Sequence, residues 1–210
     1  MIGVDRRRVM GGGSSLPYDA EIEYLESTGT QWIDTLFYPR ISEPDIRVEN
    51  KFNKSVLQGN QCVLGARITS AMEKGFKLPN YYDDIFEYQG LSIGTLTGRF
   101  SIGIDYEFYA SIKQGRQEFY VDDVLNTQTS WSGSCDAGGN LYLFALNQNG
   151  ARWFFKGKIY YCKIWQDDVI ERDFIPVRVG QVGYMYDKVS GQLFGNSGTE
   201  NFILGPDINN

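Results

Sequence analysis

From Glu21 onward the apolar residues of this chain fall at every second position, in short runs that never settle into a helical period. EIEYLE (21–26) and QWIDTLFY (31–38) flank Ser27-Thr28-Gly29-Thr30, which reads as a turn between two strands. Similar runs are DIRVENKF (45–52), QCVLGARI (61–68), LSIGTL (91–96), RFSIGI (99–104), FYASIKQ (108–114) and RQEFYV (116–121). NLYLFALN (140–147), GKIYYCKIW (157–165), VIERDFIPV (169–177), VGYMYDKVSGQLFG (182–195) and NFILG (201–205) complete the series. Gln114-Gly115, Asp122-Asp123, Gly138-Gly139-Asn140, Asn149-Gly150 and Ser190-Gly191 stand between runs and suit tight turns. Strands spaced roughly 8–12 residues apart, with no capped helical stretch, predict an all-β fold of two antiparallel sheets in a jelly-roll sandwich. Residues 69–89 are less regular and are expected to form a long surface loop.

Composition refines this picture. Fourteen Tyr, 13 Phe and 4 Trp in 210 residues point to a core built from rings set in strands. No second composition regime follows residue 18, so residues 18–210 are expected to form one sandwich domain. Residues 1–17 read as a basic, Gly-rich extended arm, with Arg6, Arg7 and Arg8 ahead of GGGSS and Leu16-Pro17. The first twenty residues hold three Arg against Asp5 and Asp19, net +1, which leaves −7 of the total −6 on the body. An acidic body is a poor nucleic-acid surface. Val9-Met10 runs straight into glycines rather than into an apolar segment, and no stretch reaches the ~20 apolar residues of a membrane helix. Neither export by the usual route nor membrane insertion is expected. Cys62, Cys135 and Cys162 are odd in number and widely spaced, which predicts buried or half-buried free thiols.

The chain has no histidine. That removes Ser-His-Asp and Cys-His nucleophile systems and the common zinc ligand sets. Hydrolysis of a glycosidic bond needs only two carboxylates. Glu171-Arg172-Asp173 partly matches an E-x-D-x-x-E strand, but Pro176 stands where the second Glu belongs. The chain therefore reads as a non-enzyme. No cofactor is expected; calcium is the one ion worth testing, through Asp83-Asp84 or Asp122-Asp123, although paired Asp residues in turns are commonly turn formers. For sugars, rings on loops beside polar side chains are the candidates: Tyr81, Tyr82 and Asp83, then Trp131 and Trp153. Trp32 is expected in the core, with Glu23 and Glu26 facing water. In GKIYYCKIW both faces are largely apolar, as in a central strand packed on both sides. Asp187, Lys188, Ser190 and Gly191 read as turn geometry rather than chemistry.

Four blocks, EYLESTGTQWIDT (23–35), KIYYCKIW (158–165), RDFIPV (172–177) and GYMYDKVSGQLFGNSGTENFILG (183–205), resemble concanavalin A-like, laminin-G-like jelly-roll proteins of gut bacteria and their tailed phages. The resemblance spans residues 18–205. It implies a lectin-type sandwich and, for phage members, a non-enzymatic place on the virion surface as capsid decoration, head fibre or tail appendage. On that reading the protein is made in the cytoplasm of the bacterial host and forms a homo-oligomer. Arg6, Arg7 and Arg8 anchor it to other virion proteins, and its body touches glycans of the host or of gut mucus. The alternatives are a free-standing carbohydrate-binding domain of a gut bacterium and a degenerate glycoside hydrolase.

Overall fold

The computed structural model of the chain describes residues 16–39, 45–56, 59–67, 75–82, 85–89, 95–99, 101–113, 115–130 and 137–208. Among them every regular element is a strand. In chain order these are Ala20–Glu21 (β1), Leu25–Ser27 (β2), Ile33–Asp34 (β3), Ile46–Lys54 (β4), Gln61–Arg67 (β5) and Gly75–Tyr82 (β6). Ile85–Gln89 (β7), Thr95–Arg99 (β8), Asp105–Lys113 (β9), Arg116–Val121 (β10) and Val124–Thr129 (β11) follow. The short Tyr142–Leu143 (β12), Leu146–Asn147 (β13) and Ala151–Arg152 (β14) lead to the long Gly157–Gln166 (β15) and Val169–Val179 (β16). Val182–Asp187 (β17), Gln192–Phe194 (β18) and Ile203–Leu204 (β19) end the chain.

Two sheets result. The larger has eleven strands in the order β11-β10-β9-β4-β15-β16-β17-β18, with β1 on β16 and β2 between β15 and β19. The smaller has eight, ordered β14-β13-β5-β6-β7-β8, with β12 joining β3 to β5. The pairings are antiparallel except that β13 runs parallel to β5. This is the expected jelly-roll sandwich.

Phenylalanine fills the space between the sheets. Phe52, Phe108, Phe119, Phe144, Phe155, Phe174 and Phe202 are buried beside Val48, Leu64, Ile112, Ile159, Cys162, Ile164 and Met185. A ring without a polar atom can be buried outright, at roughly 1.5–3 kcal/mol of stabilisation each. The Tyr and Trp residues whose side chains are described are half-buried or exposed, because their hydroxyl and N–H groups need partners. Trp32 follows this rule and corrects its expected place in the core. It is half-buried and stacked on Tyr142, ring centroids 4.2 Å apart. Glu23 is exposed, whereas Glu26 is half-buried and accepts from the Ser55 hydroxyl at 3.1 Å. Cys62 and Cys162 are buried, and Cys135 lies outside the described residues.

Other expectations need correction. Residues 75–82 and 85–89 are strands of the smaller sheet, not loop, because they pair across β5 and β8 despite their weak local pattern. In the run 99–104, Arg99 ends β8, Ile102-Gly103 is a turn, and β9 begins only at Asp105. NLYLFALN breaks into β12 and β13 at Phe144, whose φ of 63° lies in the left-handed region. β15 is central, between β4 and β16, but it is not buried on both sides. Ile159, Cys162 and Ile164 are buried, while Lys158, Tyr160, Tyr161, Lys163 and Trp165 stay half-exposed. β5, by contrast, is buried along its whole length.

Candidate functional site

Arg6, Arg7, Arg8, Asp83, Asp84 and Trp131 lie outside the described residues. Tyr81 and Tyr82 sit on β6, opposite Phe86 and Ile85 of β7, with side chains outside the described set. Trp153 follows β14, and its carbonyl accepts from the Cys62 N–H at 2.8 Å. β5 therefore carries Tyr81 on one side, through Gln61, and Trp153 on the other. One face of the Trp153 indole is taken: the Arg67 guanidinium carbon lies 4.1 Å from the ring centroid. Arg67 is itself buried and donates twice to Gln148 Oε1.

The larger sheet brings a different set together on its outer face. Register places Tyr120, Tyr109, Glu49, Lys163 and Asp173 side by side on β10, β9, β4, β15 and β16. The next row holds Glu107, Lys51 and Tyr161. Simple alternation would not put Tyr160 and Tyr161 on the same side as Lys158 and Lys163. The pairing with β4 slips between Ile159 and Tyr161, so Tyr160 is the extra residue of a bulge, and both tyrosines stay on the half-exposed side. Tyr160 donates to Asp105 Oδ1 at 2.7 Å, Asn53 Nδ2 donates to the same oxygen at 2.7 Å, and Lys51 Nζ lies 3.5 Å from Asp105 Oδ2.

Above this face turns the β10–β11 hairpin. Its two-residue loop is Asp122-Asp123, both at positive φ (50° and 61°), the geometry that matches strand twist. Asp122 Oδ1 accepts from the Glu107 N–H at 2.8 Å, which pins the loop onto β9. Asp123 is left to face a groove of ≈ 400 Å³ lined by Glu49, Glu107, Phe108, Tyr109, Tyr120, Asp123 and Tyr161. Tyr109 and Tyr120 meet edge to face, ring centroids 5.5 Å apart.

The groove is electronegative. Burial, then the Glu107, Glu49 and Asp123 carboxylates with the Cys162 thiol, push the Tyr161 phenol up to about 12. Burial and the bond to Asp105 likewise raise Tyr160. Burial opposes charge on Asp105 itself, yet the bonds from Asn53 and Tyr160 and the nearby Lys51 outweigh it and hold that carboxyl below its ordinary range. Among the described residues no group of three or more carboxylates or thiols is placed to hold a metal ion.

Of these groove residues the sequence singled out only Asp123, and for calcium. The others sit in ordinary alternating runs. The available signal was the doubled tyrosine of IYYC, which breaks the two-residue period. Glu171 and Asp173 are half-buried on β16, and Asp173 Oδ1 is a buried oxygen without a partner. Pro176 is buried opposite Met185, so the E-x-D-x-x-E pattern ends there.

No family model matches the chain. No curated protein sequence matches it either. Solved structures do. A candidate carbohydrate-binding protein from Bacteroides ovatus superimposes with TM-score 0.63 and 12% identity over 89% of this chain. The chain shares the jelly-roll sandwich fold of that protein. It spans 62% of the length of the Bacteroides ovatus protein. The CBM40 domain of the Ruminococcus gnavus IT-sialidase, bound to α2,3-sialyllactose, matches with TM-score 0.52 and 11% identity, over 68% of this chain and 89% of that one. A heptameric SAP-like pentraxin from Limulus polyphemus matches with TM-score 0.51 and 10% identity, over 90% and 96%.

Proposed function

We propose that this protein is a non-catalytic carbohydrate-binding domain whose ligand lies on the outer face of the eleven-stranded sheet. The observation that carries this reading is the open groove in which Tyr109, Tyr120 and Tyr161 stand beside Glu49, Glu107 and Asp123. A sugar offers C–H faces to aromatic rings and hydroxyl donors to carboxylates, and a groove of this size takes a short saccharide. The lectin-like fold and the carbohydrate-binding names of two structural neighbours support it. They favour the free-standing binding domain over the virion part that the sequence resemblance suggested.

The test is a glycan array followed by titration calorimetry. Tyr161→Ala and Tyr120→Ala should each weaken binding at least ~10-fold, about 1.4 kcal/mol, with an unchanged melting temperature. Unaltered binding in both would remove the groove from the reading. Removing residues 1–17 should leave glycan binding intact. Binding that needs the arm would return the weight to a particle-anchored protein.

A further inference from the structure

Among the described residues the three groove carboxylates have no cation of their own. Lys51 is engaged by Asp105 and lies over the Tyr160 ring, 5.1 Å from its centroid. Arg116 pairs with Glu118, and Arg47 pairs with Asp168 while lying over Trp165. None of the described ion pairs uses Glu49, Glu107 or Asp123, and none of the described residues lining the groove is Lys or Arg. Lys163 is the other cation in register with the groove residues. Its Nζ lies 5.7 Å from the Tyr161 ring centroid, in register between Glu49 and Asp173. Two lysines beside the groove, one of them engaged by Asp105, face three carboxylates within it.

Carboxylates beside exposed π-faces form a receptor for an ammonium group, which gains both Coulomb attraction and the ring quadrupole. The same arrangement repels a carboxylated sugar. Resting on the carbohydrate-binding reading, we infer that the groove selects saccharides bearing a free amino group, held as ammonium among Glu49, Glu107 and Asp123 against Tyr161, and rejects acidic saccharides. This sets it apart from the CBM40 domain, which was captured with sialyllactose.

Calorimetry on the full chain at about pH 6, where an amino sugar is charged, would compare a glucosamine oligosaccharide, its N-acetylated counterpart and 3′-sialyllactose. The glucosamine oligomer should bind roughly tenfold more tightly than the acetylated one, and sialyllactose more weakly than either. The Glu49→Gln/Glu107→Gln double variant should bring the first two to parity. Glu200→Gln, which removes an exposed carboxylate outside the groove, should change nothing. If the acetylated or sialylated ligand binds as tightly as the amine, the charge selectivity is wrong and the glycan-binding reading stands. If Glu200→Gln weakens the amine as much as the groove variant does, the attraction is diffuse and the site is wrong. If no saccharide binds, both readings fall together.

Discussion

Asp187 has no exposed surface, and its carboxylate accepts from the Asp173 N–H at 2.8 Å, the Val189 N–H at 3.2 Å and the Ser190 hydroxyl at 2.7 Å. The Ser190 N–H adds a fourth bond at 3.3 Å. One side chain thus closes the β17–β18 hairpin and ties it to β16. Replacing it orphans several donors at once, so Asp187→Ala should cost on the order of 3 kcal/mol in chemical denaturation. A loss under ~0.5 kcal/mol, the size of a neutral surface change, would mean these bonds are dispensable. Tyr161 makes a prediction of different sign. Its folded-state pKa stands above the ordinary value of about 10, so the stability from the neutral phenol is complete below that value and disappears as pH rises through about 12. The absorbance titration of the wild type minus that of Tyr161→Phe should show one phenol ionising near 12. A midpoint near 10, the free-phenol value, would show that neither burial nor the carboxylates raise it. The role of Asp187 in turn geometry was legible from the DKVSG pattern. The setting of Tyr161 was not, since its three carboxylate neighbours come from β4, β9 and the β10–β11 turn.

At the scale of elements, strands announced by strict alternation, such as β4, β10 and β16, stand close to where the pattern put them. Those that failed did so for non-local reasons. β6 and β7 form because β5 and β8 offer unpaired edges, and residues 140–147 divide because Phe144 must turn into the core between two sheet pairings. β15 carries both kinds of information. Its apolar alternation marks a strand, but the bulge at Tyr160 is set by pairing with β4, far away in sequence. Gly157 opens this strand with φ +153°, and an added Cβ would lie 2.1 Å from the Asn53 carbonyl oxygen. Gly157→Ala must then part β4 from β15 or bend one of them. We expect a loss of roughly 2–4 kcal/mol, read from the denaturation midpoint. Gly150→Ala, with nothing near its added carbon though φ is also positive, should cost less. Equal costs for the two would refute the close-approach argument.

For the whole molecule, the sandwich separates its rings by chemistry: Phe between the sheets, Tyr and Trp toward the surfaces. It also leaves one sheet face rich in tyrosine and carboxylate. Because the groove lies on a face rather than in the core, loss of binding in Tyr161→Ala and Tyr120→Ala should separate cleanly from loss of stability, a contrast that paired melting and binding curves would show. Sequence alone determined that this chain is all-β, that two sheets bury a ring-filled core, and that histidine-dependent catalysis is closed to it. Those properties follow from residue identity and a two-residue period. Tertiary structure alone decided which strands became neighbours, and so which side chains share a surface. Glu49, Glu107, Asp123 and Tyr161 are unremarkable where each stands in the chain. They become a site because β4 pairs with both β9 and β15, and because one bulge keeps a second tyrosine on the outer face.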